Sequence, residues 1–408
     1  NSMINAKEVV DRGTIELPPA QRRLMEAVYE ANSNVALVLF SNYPYAIGWA
    51  QEKLPAIVWS ATGAQDMGAA MAETLFGANN PAGRLNMTWY QKDEQLPDIE
   101  DYDIIGKGRT YRYFEGEALY PFGYGLSYAQ FAYSNLKVEP ADGGNLKVAF
   151  QVSNIGDSEG DEVAQVYGVA PASRVKKPLR QLLGFSRLKG IKPGESRTVE
   201  LTVDREEFRF YDVISRKLMV EEGRYRIFAG PSSAEEALSA WADLPGEKTG
   251  ERDTAQKTAA DHYDGYENIV LTEGHFGFTA AAVKDASGKA ALCYRDCLID
   301  REASEIVLHL KSEKGCSARV FVDGSQAAHW EGDTAAYERA GFPPMDERAR
   351  REAEERRAGW KPIYADVCLP LDRDALEGKE GKAVEIRIEL TGDVRLCYFR
   401  IRKGQAGR

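Results

Sequence analysis

Aromatic and acidic side chains in the last part of the sequence have the chemistry of a sugar-binding site. Aromatic rings can stack on the faces of pyranose rings, and carboxylates accept hydrogen bonds from hydroxyl groups. The candidates are Trp330, Tyr337, Trp360 and Tyr364, with Asp333 and Asp296 as polar partners. Each of these side chains also suits a place in a core or at a sheet edge, so the sequence leaves both roles open.

Cysteine and histidine spacing argues against a metal site. The five cysteines are Cys293, Cys297, Cys316, Cys368 and Cys397. Their number is odd and they lie in apolar, strand-like surroundings, which favours buried free thiols over zinc ligands. The four histidines also lack ligand spacing, and His309 is expected to be packed within a strand. We predict no metal and no cofactor. The free thiols favour a reducing cytoplasm, and the predicted location is a bacterial cytoplasm.

The composition describes an acidic chain of several domains. Its 408 residues are enough for about two to four domains, and 43% of them are hydrophobic. The net charge of −11 and the pI near 5.2 argue against nucleic acid or an anionic membrane as a partner. No apolar run approaches the roughly 20 residues of a membrane-spanning helix. Residues 345–360 mix Arg and Glu at helical spacing and predict an exposed helix held by ion pairs.

Residues 1–130 alternate continuous apolar runs with helical patterns. The predicted helices cover residues 17–31, 47–51 and 68–75, and the predicted strands cover residues 35–41 and 55–61. Continuous apolar runs are typical of strands buried on both faces. The alternation predicts a partial α/β domain with a mostly parallel sheet. The glycine-rich turn after the second strand matches neither phosphate-loop pattern, so nucleotide binding is not expected.

The rest of the chain has an all-β pattern. About seven alternating segments in residues 131–235 predict a sandwich of the immunoglobulin or fibronectin type III kind. Residues 236–262 are predicted to be a polar linker. Residues 263–408 resemble a jelly-roll, galactose-binding-like sandwich that would serve as a carbohydrate-binding module. The predicted fold class is therefore multidomain, α/β plus all-β.

The most distinctive string joins the first two parts. Residues 111–131 read YRYFEGEALYPFGYGLSYAQF, with three glycines among eight aromatic residues. Glycines permit close backbone approach and the rings supply apolar area, so this segment should be pinned between two domains. The string resembles the signature between the second and third domains of glycoside hydrolase family 3, which holds β-glucosidases and β-xylosidases. The strings LFG and NPAGRL within residues 75–85 strengthen the resemblance.

The resemblance implies a retaining exo-β-glycosidase. In that family an Asp on a TIM barrel is the nucleophile, and the following α/β sandwich lends the acid/base across the domain interface. The family's Glu-x-x-Asp-Arg string falls at Glu8, Asp11 and Arg12, so Glu8 is the candidate acid/base. The alternative is a solvated glutamate in a frayed segment. No barrel-length stretch precedes Glu8, and the nucleophile is therefore expected to be absent from this chain.

These expectations describe the C-terminal segment of an enzyme that acts on oligo- or aryl-β-glycosides. It should be inactive alone and should bind the missing TIM-barrel domain or chain. A partial α/β domain would expose a sheet edge and an apolar face, which predicts self-association. The alternative is a non-catalytic carbohydrate-binding or assembly protein built on the same domains.

Overall fold

The computed structural model describes residues 12–99, 101–275, 277–312, 315–332, 334 and 364–403. The described residues form two compact units. The first runs to Phe210 and includes Met219–Glu247. The second comprises Tyr211–Leu218 and continues from Lys248. The predicted α/β part and the sandwich that follows it share the first unit.

The first unit begins with a small α/β layer. Its elements are α1 (Pro19–Ala31), β1 (Ala36–Phe40), α2 (Gly48–Lys53), β2 (Ala56–Ser60), α3 (Met67–Leu75) and α4 (Thr110–Tyr113). Strands β1 and β2 are parallel, with Ala36 opposite Ala56. The predicted helices and strands are confirmed, with ends displaced by at most two residues. The core of this layer centres on Trp89, whose ring packs edge-on against Trp59 and Tyr120 at 5.9 and 5.7 Å.

The prediction that the parallel strands β1 and β2 are buried on both faces was wrong. Within β1 only Leu39 is buried, and β2 has no buried residue. Helix α1 has none either. An apolar run reports hydrophobicity, but burial requires further strands and helices to cover the sheet. The described elements leave much of this layer uncovered.

Two antiparallel sheets complete the first unit. The strands are β3 (Phe131–Pro140), β4 (Leu146–Asn154), β5 (Gly160–Val169), β6 (Gln181–Ile191), β7 (Ser196–Val203), β10 (Gly223–Gly230) and β11 (Leu238–Leu244). The short hairpin of β8 (Phe210–Asp212) and β9 (Lys217–Met219) follows β7, and its residues Tyr211–Leu218 belong to the second unit. One sheet has the order β11-β10-β5-β6 and the other β3-β4-β7. Alternate residues such as Val148 and Phe150 of β4 meet Val166 and Ile227 in a shared core. This arrangement confirms the predicted sandwich.

The second unit is a larger β-sandwich. Its elements are β12 (Arg252–Asp253), β13 (Thr258–Ala259), β14 (Gly265–Glu267), β15 (Ile269–Glu273), β16 (Thr279–Val283), β17 (Ala290–Leu298), β18 (Glu305–Ser312), β19 (Cys316–Val322), β20 (Ser325–Gly332), β21 (Ala365–Pro370), α5 (Arg373–Leu376), β22 (Ala383–Thr391) and β23 (Val394–Arg402). One six-stranded sheet contains β12-β17-β22-β19-β20 with β14 beside β17. The other contains β15-β16-β23-β18-β21 with β13 beside β23. Leu292 and Ile388 of the first sheet pack with Leu308 and Phe399 of the second. Its description as a jelly roll stays a prediction.

The predicted linker contains strands. Within residues 236–262, β11 pairs with β10, β12 with β17, and β13 with β23. Strands β12 and β13 are two residues long, too short to show periodicity, and they are held by partners distant in sequence. The predicted charged helix at residues 345–360 lies outside the described residues.

The cysteines are free thiols, as predicted, but they are not all buried. Cys297, Cys316 and Cys397 are buried, Cys293 is half-buried, and Cys368 is exposed. Cys368 lies on β21, where alternate side chains point outward. None of the helices that the structure describes is long and apolar enough to cross a membrane.

Candidate functional site

Four of the predicted site residues lie outside the described part of the chain: Glu8, Asp333, Tyr337 and Trp360. Their roles stay predictions. Across the described residues, no group of three His, Cys, Asp or Glu side chains could hold a metal ion.

The remaining candidates occupy different places in the second unit. Trp330, on β20, is 6% exposed and packs in the core between the sheets, so its ring offers no open face to a sugar. Tyr364, just before β21, is half-buried with its ring parallel to that of His275 at 5.3 Å. Asp296 has a φ of 52° at the bulge of β17. The structure therefore shows the core role for Trp330 and does not gather these residues around one point.

The glycine- and aromatic-rich segment is fixed to the sandwich by stacked rings. Tyr111 stacks on Phe122 at 4.3 Å and meets the edge of Tyr167 at 6.3 Å. Tyr167 in turn stacks on Phe228 at 5.1 Å. The Ser233 amide donates a hydrogen bond of 2.9 Å to the Phe122 carbonyl. The rings thus join residues of the segment to strands β5 and β10, as the sequence predicted.

Gly123 sits at the closest approach of this segment to β5. Its φ of +83° lies in the left-handed region, which disfavours side chains. The Gln165 side-chain amide donates to the Gly123 carbonyl at 3.1 Å. A methyl group at Gly123 would overlap the Gln165 side chain and lie 2.9 Å from the Tyr167 hydroxyl. Only glycine fits here without movement of the neighbouring side chains.

A buried ion pair also joins the α/β layer to the sandwich. Arg84 Nη2 lies 2.8 Å from Glu162 Oε2, and the two side chains are 8% and 2% exposed. The Tyr133 hydroxyl donates to the other Glu162 oxygen at 2.8 Å. Burial raises the pKa of Glu162, although Arg84 and Tyr133 act in the opposite direction. Arg84 belongs to the NPAGRL string and Glu162 to β5, so the pair ties the α/β layer to the sandwich.

Arg12 anchors the start of the described chain. Its guanidinium lies 3.7 Å from the centre of the Tyr43 ring and 4.9 Å from that of Tyr45. Nη2 also donates to the Pro44 carbonyl at 3.2 Å. Burial raises the pKa of Tyr45 to about 12, against the opposing charge of Arg12. These contacts hold Arg12 on the connection between β1 and α2, four residues after Glu8.

An apolar groove of about 330 Å³ opens between α1 and β1. We call it the α1–β1 groove; Leu24, Val28, Leu37 and Phe40 are among its lining residues. Leu24 is 65% exposed and Val28 is 45% exposed. Large exposed apolar patches mark interaction surfaces in water-soluble proteins. The sequence predicted such an apolar face, and the structure shows it.

The first unit thus consists of two domains, an α/β layer and a seven-stranded sandwich. The aromatic segment packs against both and joins them. Residues 1–128 match the model of the glycosyl hydrolase family 3 C-terminal domain, and residues 162–233 match that of the fibronectin type III-like domain. Residues 1–128 are therefore assigned to the glycosyl hydrolase family 3 C-terminal domain, and residues 162–233 to a fibronectin type III-like domain.

Curated relatives agree with this assignment. A xylan 1,4-beta-xylosidase of Xylanibacter ruminicola is 41% identical over 229 residues, which are 56% of this chain and 26% of the relative. The thermostable beta-glucosidase B of Acetivibrio thermocellus is 34% identical over 245 residues, 57% of this chain and 32% of the relative. The matches fall in the C-terminal part of these enzymes. The chain thus spans about a quarter to a third of their length.

Solved structures of beta-glucosidases are also similar to part of this chain. The GH3 beta-glucosidase of Bifidobacterium adolescentis superposes with a TM-score of 0.56 at 28% identity, covering 60% of this chain and 38% of that one. A beta-glucosidase of Kluyveromyces marxianus gives a TM-score of 0.53 at 29% identity, with 58% and 29% covered.

Sequence reasoning missed two side-chain groups. One is the Arg84–Glu162 pair, whose members are 78 residues apart. The other joins His275, His309 and Asp366 by hydrogen bonds of 2.7 and 3.0 Å. Neither group has a sequence pattern, because each is assembled from strands or loops that meet only in the folded chain.

Proposed function

We propose that this chain is the C-terminal part of a retaining exo-β-glycosidase that hydrolyses β-glucosides or β-xylosides, a barrel domain supplying the rest of the active site. Curated relatives of this chain are named β-xylosidases and β-glucosidases. In this family the C-terminal domain pairs with an N-terminal barrel domain. The free thiols favour a reducing compartment, and we extend the proposal to a bacterial cytoplasm.

The observation that carries the proposal is the exposed α1–β1 groove. The adjoining two-stranded sheet pairs only β1 with β2, so the described residues leave an open strand edge on each side. An open edge and an apolar groove together suit a partner that adds a strand and covers the groove with apolar side chains. A barrel-bearing polypeptide of the same family would bring such residues.

The proposed chemistry divides two carboxyl groups between the domains. A retaining glycosidase needs them about 5–5.5 Å apart. The barrel would supply the nucleophile that attacks the anomeric carbon. Glu8 would protonate the leaving oxygen and then, as a carboxylate, take a proton from the water that releases the sugar. Arg12, anchored on Tyr43, would fix the chain that carries Glu8.

The experiment is hydrolysis of aryl β-glucosides and aryl β-xylosides by the full chain, alone and mixed with a separately expressed family 3 barrel. We expect activity only in the mixture. Activity of the chain alone would place a nucleophile within these residues and overturn the proposal. No activity in either, together with glycan binding, would favour a non-catalytic carbohydrate-binding protein.

Two pairs of variants sharpen this experiment. Leu24→Asp places a charge in the groove and should abolish activity of the mixture, whereas Ile155→Asp should not, because Ile155 is equally exposed, at 65%, but lies in a turn of the sandwich. Glu8→Gln should lower kcat by at least about a hundredfold, the usual contribution of general acid–base catalysis. Glu52→Gln, at an exposed residue of α2, is the control for loss of a carboxylate.

A further inference from the structure

An imidazole pair lies on the outer face of the second sheet of the C-terminal sandwich. His309, in the middle of β18, is 6% exposed and points away from the core that holds its neighbours Leu308 and Leu310. Its Nδ1 lies 2.7 Å from Asp366 Oδ1 on β21. Its Nε2 lies 3.0 Å from Nδ1 of His275, which belongs to the connection between β15 and β16.

The two rings meet edge to edge. Their planes differ by 5° and their centres are 5.3 Å apart, the separation expected for coplanar rings joined by one hydrogen bond. Tyr398 lies parallel to His309 at 4.6 Å, and Tyr364 lies parallel to His275 at 5.3 Å. The Tyr398 hydroxyl also donates to Asp366 Oδ1 at 3.1 Å. The tyrosine rings and Asp366 thus fix the orientation of the pair.

This geometry sets the proton positions. Asp366 accepts, so His309 Nδ1 carries a hydrogen and its Nε2 is left as the acceptor. His275 Nδ1 must then be the donor between the rings. With one added proton, one ring donates to the lone pair of the other and the hydrogen bond survives. With a proton on every ring nitrogen, two N–H groups face each other at 3.0 Å and the bond is lost.

We propose that His275 and His309 form a proton-sensitive contact that stays closed with up to one shared proton and opens when both rings are protonated, releasing the connection between β15 and β16. The proposal is independent of the glycosidase function. It predicts a structural change of the C-terminal sandwich in mildly acidic solution.

The surrounding charges favour opening at the second proton. Asp366 is the carboxylate in contact with His309, and Arg400 Nη2 already lies 3.8 Å from its other oxygen. Lys257 Nζ lies 4.4 Å from the centre of the Tyr398 ring and adds positive charge nearby. Burial raises the pKa of Tyr398 to about 12, so this ring stays neutral. Among the charged side chains in direct contact with the pair or with Tyr398, one carboxylate therefore faces two imidazoliums and two further cations.

Groups around Tyr364 carry charges of both signs. Its hydroxyl donates to the Glu273 carbonyl at 3.4 Å, and burial raises its pKa to about 12. Cys397, beside it on β23, stays a neutral thiol because burial raises its pKa. Arg395 is a cation that acts on Tyr364, whereas the Glu273 carboxylate acts on Tyr364 and the Asp261 carboxylate on Cys397 in the opposite direction.

The pH dependence has a definite sign. Burial lowers the pKa of His309 below its usual 6.5, against the effect of Asp366. The unfolded or opened chain therefore binds protons more tightly than the closed one. Stability of the contact is complete above about pH 6.5 and declines as the pH falls below that value.

Two measurements on the full chain test the proposal. NMR of selectively labelled histidine rings at about pH 7.5 should show His275 and His309 as Nδ1–H tautomers, the less common form. Hydrogen exchange should show that the protection of β15 and β16 falls by about tenfold between about pH 7.5 and about pH 5, because the opened chain binds protons more tightly than the closed one. The NMR measurement uses the unmodified protein and does not depend on any variant folding.

His275→Gln is the diagnostic variant, because a glutamine amide can donate to His309 but cannot accept a proton. In this variant, the hydrogen-exchange protection of β15 and β16 should no longer fall between about pH 7.5 and about pH 5. His329→Gln, which removes an exposed histidine of the other sheet, should retain this acid response. Nε2–H tautomers in the pair, equal protection at both pH values, or an unchanged acid response in His275→Gln would each overturn the proposal.

Discussion

At the residue scale, the Arg84–Glu162 ion pair shows how one contact can carry much of a domain junction. Both side chains are almost fully buried, and Tyr133 satisfies the remaining Glu162 oxygen. A buried pair of this kind adds little over an apolar substitute, but removing one member leaves an uncompensated charge. The junction therefore depends on both partners being present.

Arg84→Met should destabilise the first unit by about 3–5 kcal/mol, because Glu162 stays buried without its cation. Urea unfolding of the full chain measures this loss. Arg187→Met is the matched control, since Arg187 pairs with Asp161 at the same 2.8 Å but is 53% exposed. That change should cost no more than about 1 kcal/mol. Equal losses in the two variants would contradict the role of burial.

The loss in Arg84→Met should depend on pH. Burial raises the pKa of Glu162 even with Arg84 present, and removal of the guanidinium raises it further. The folded variant then binds the Glu162 proton more tightly than the unfolded chain, so protonation stabilises it. We expect the deficit to shrink as the pH falls toward about 4.5 and to be largest at neutral pH. A deficit that grows in acid would be the opposite result.

At the scale of elements, residues 111–131 join the α/β layer to the sandwich because their backbone and rings lie close to the sandwich strands. Their rings fill the space against β5 and β10, and Gly123 lets the backbone come within hydrogen-bonding distance of Gln165. The segment is thus a structural joint between the α/β layer and the sandwich.

Gly123→Ala should lower the stability of the first unit by about 2–4 kcal/mol, because it adds overlap with Gln165 to the strain of a left-handed residue. Gly143→Ala separates the two effects. Gly143 has a φ of +71° with nothing within 4 Å of an added methyl. Its replacement should cost about 1 kcal/mol, the conformational strain alone. Urea unfolding of both variants makes the comparison, and similar losses would argue against close packing at Gly123.

At the scale of the whole molecule, net charge and the apolar groove act in opposite directions. A net charge of −11 keeps copies of the chain apart, whereas exposed Leu24 and Val28 favour contact. Salt screens the repulsion but leaves apolar association in place. Association of the chain without a barrel should therefore increase with salt.

Light scattering should show concentration-dependent self-association of the chain at moderate salt. Leu24→Asp should restore the monomer, because it adds charge to the groove at a residue that is 65% exposed. Ile155→Asp, with the same exposure and charge change, should leave association intact. A stable monomer of the unmodified chain at every concentration would contradict an interface at the groove.

The sequence by itself determined the local elements and the family. Apolar runs, helical spacing and the YRYF and PFGYGLSY strings predicted β1, β2, α1 and the aromatic joint, because each depends on neighbouring residues. Alternating patterns likewise predicted the seven-stranded sandwich. Strands β12 and β13 were not predicted, because two residues are too few to show an alternation of apolar and polar side chains.

Only the tertiary structure decided burial and side-chain partnership. The runs that form β1 and β2 look like fully covered strands, but coverage depends on which other elements are present. Trp330 suited either a sugar site or a core until β20 placed it between two sheets. Arg84 with Glu162, and His275 with His309, meet across long stretches of chain, so their contacts exist only where folding brings distant backbones together.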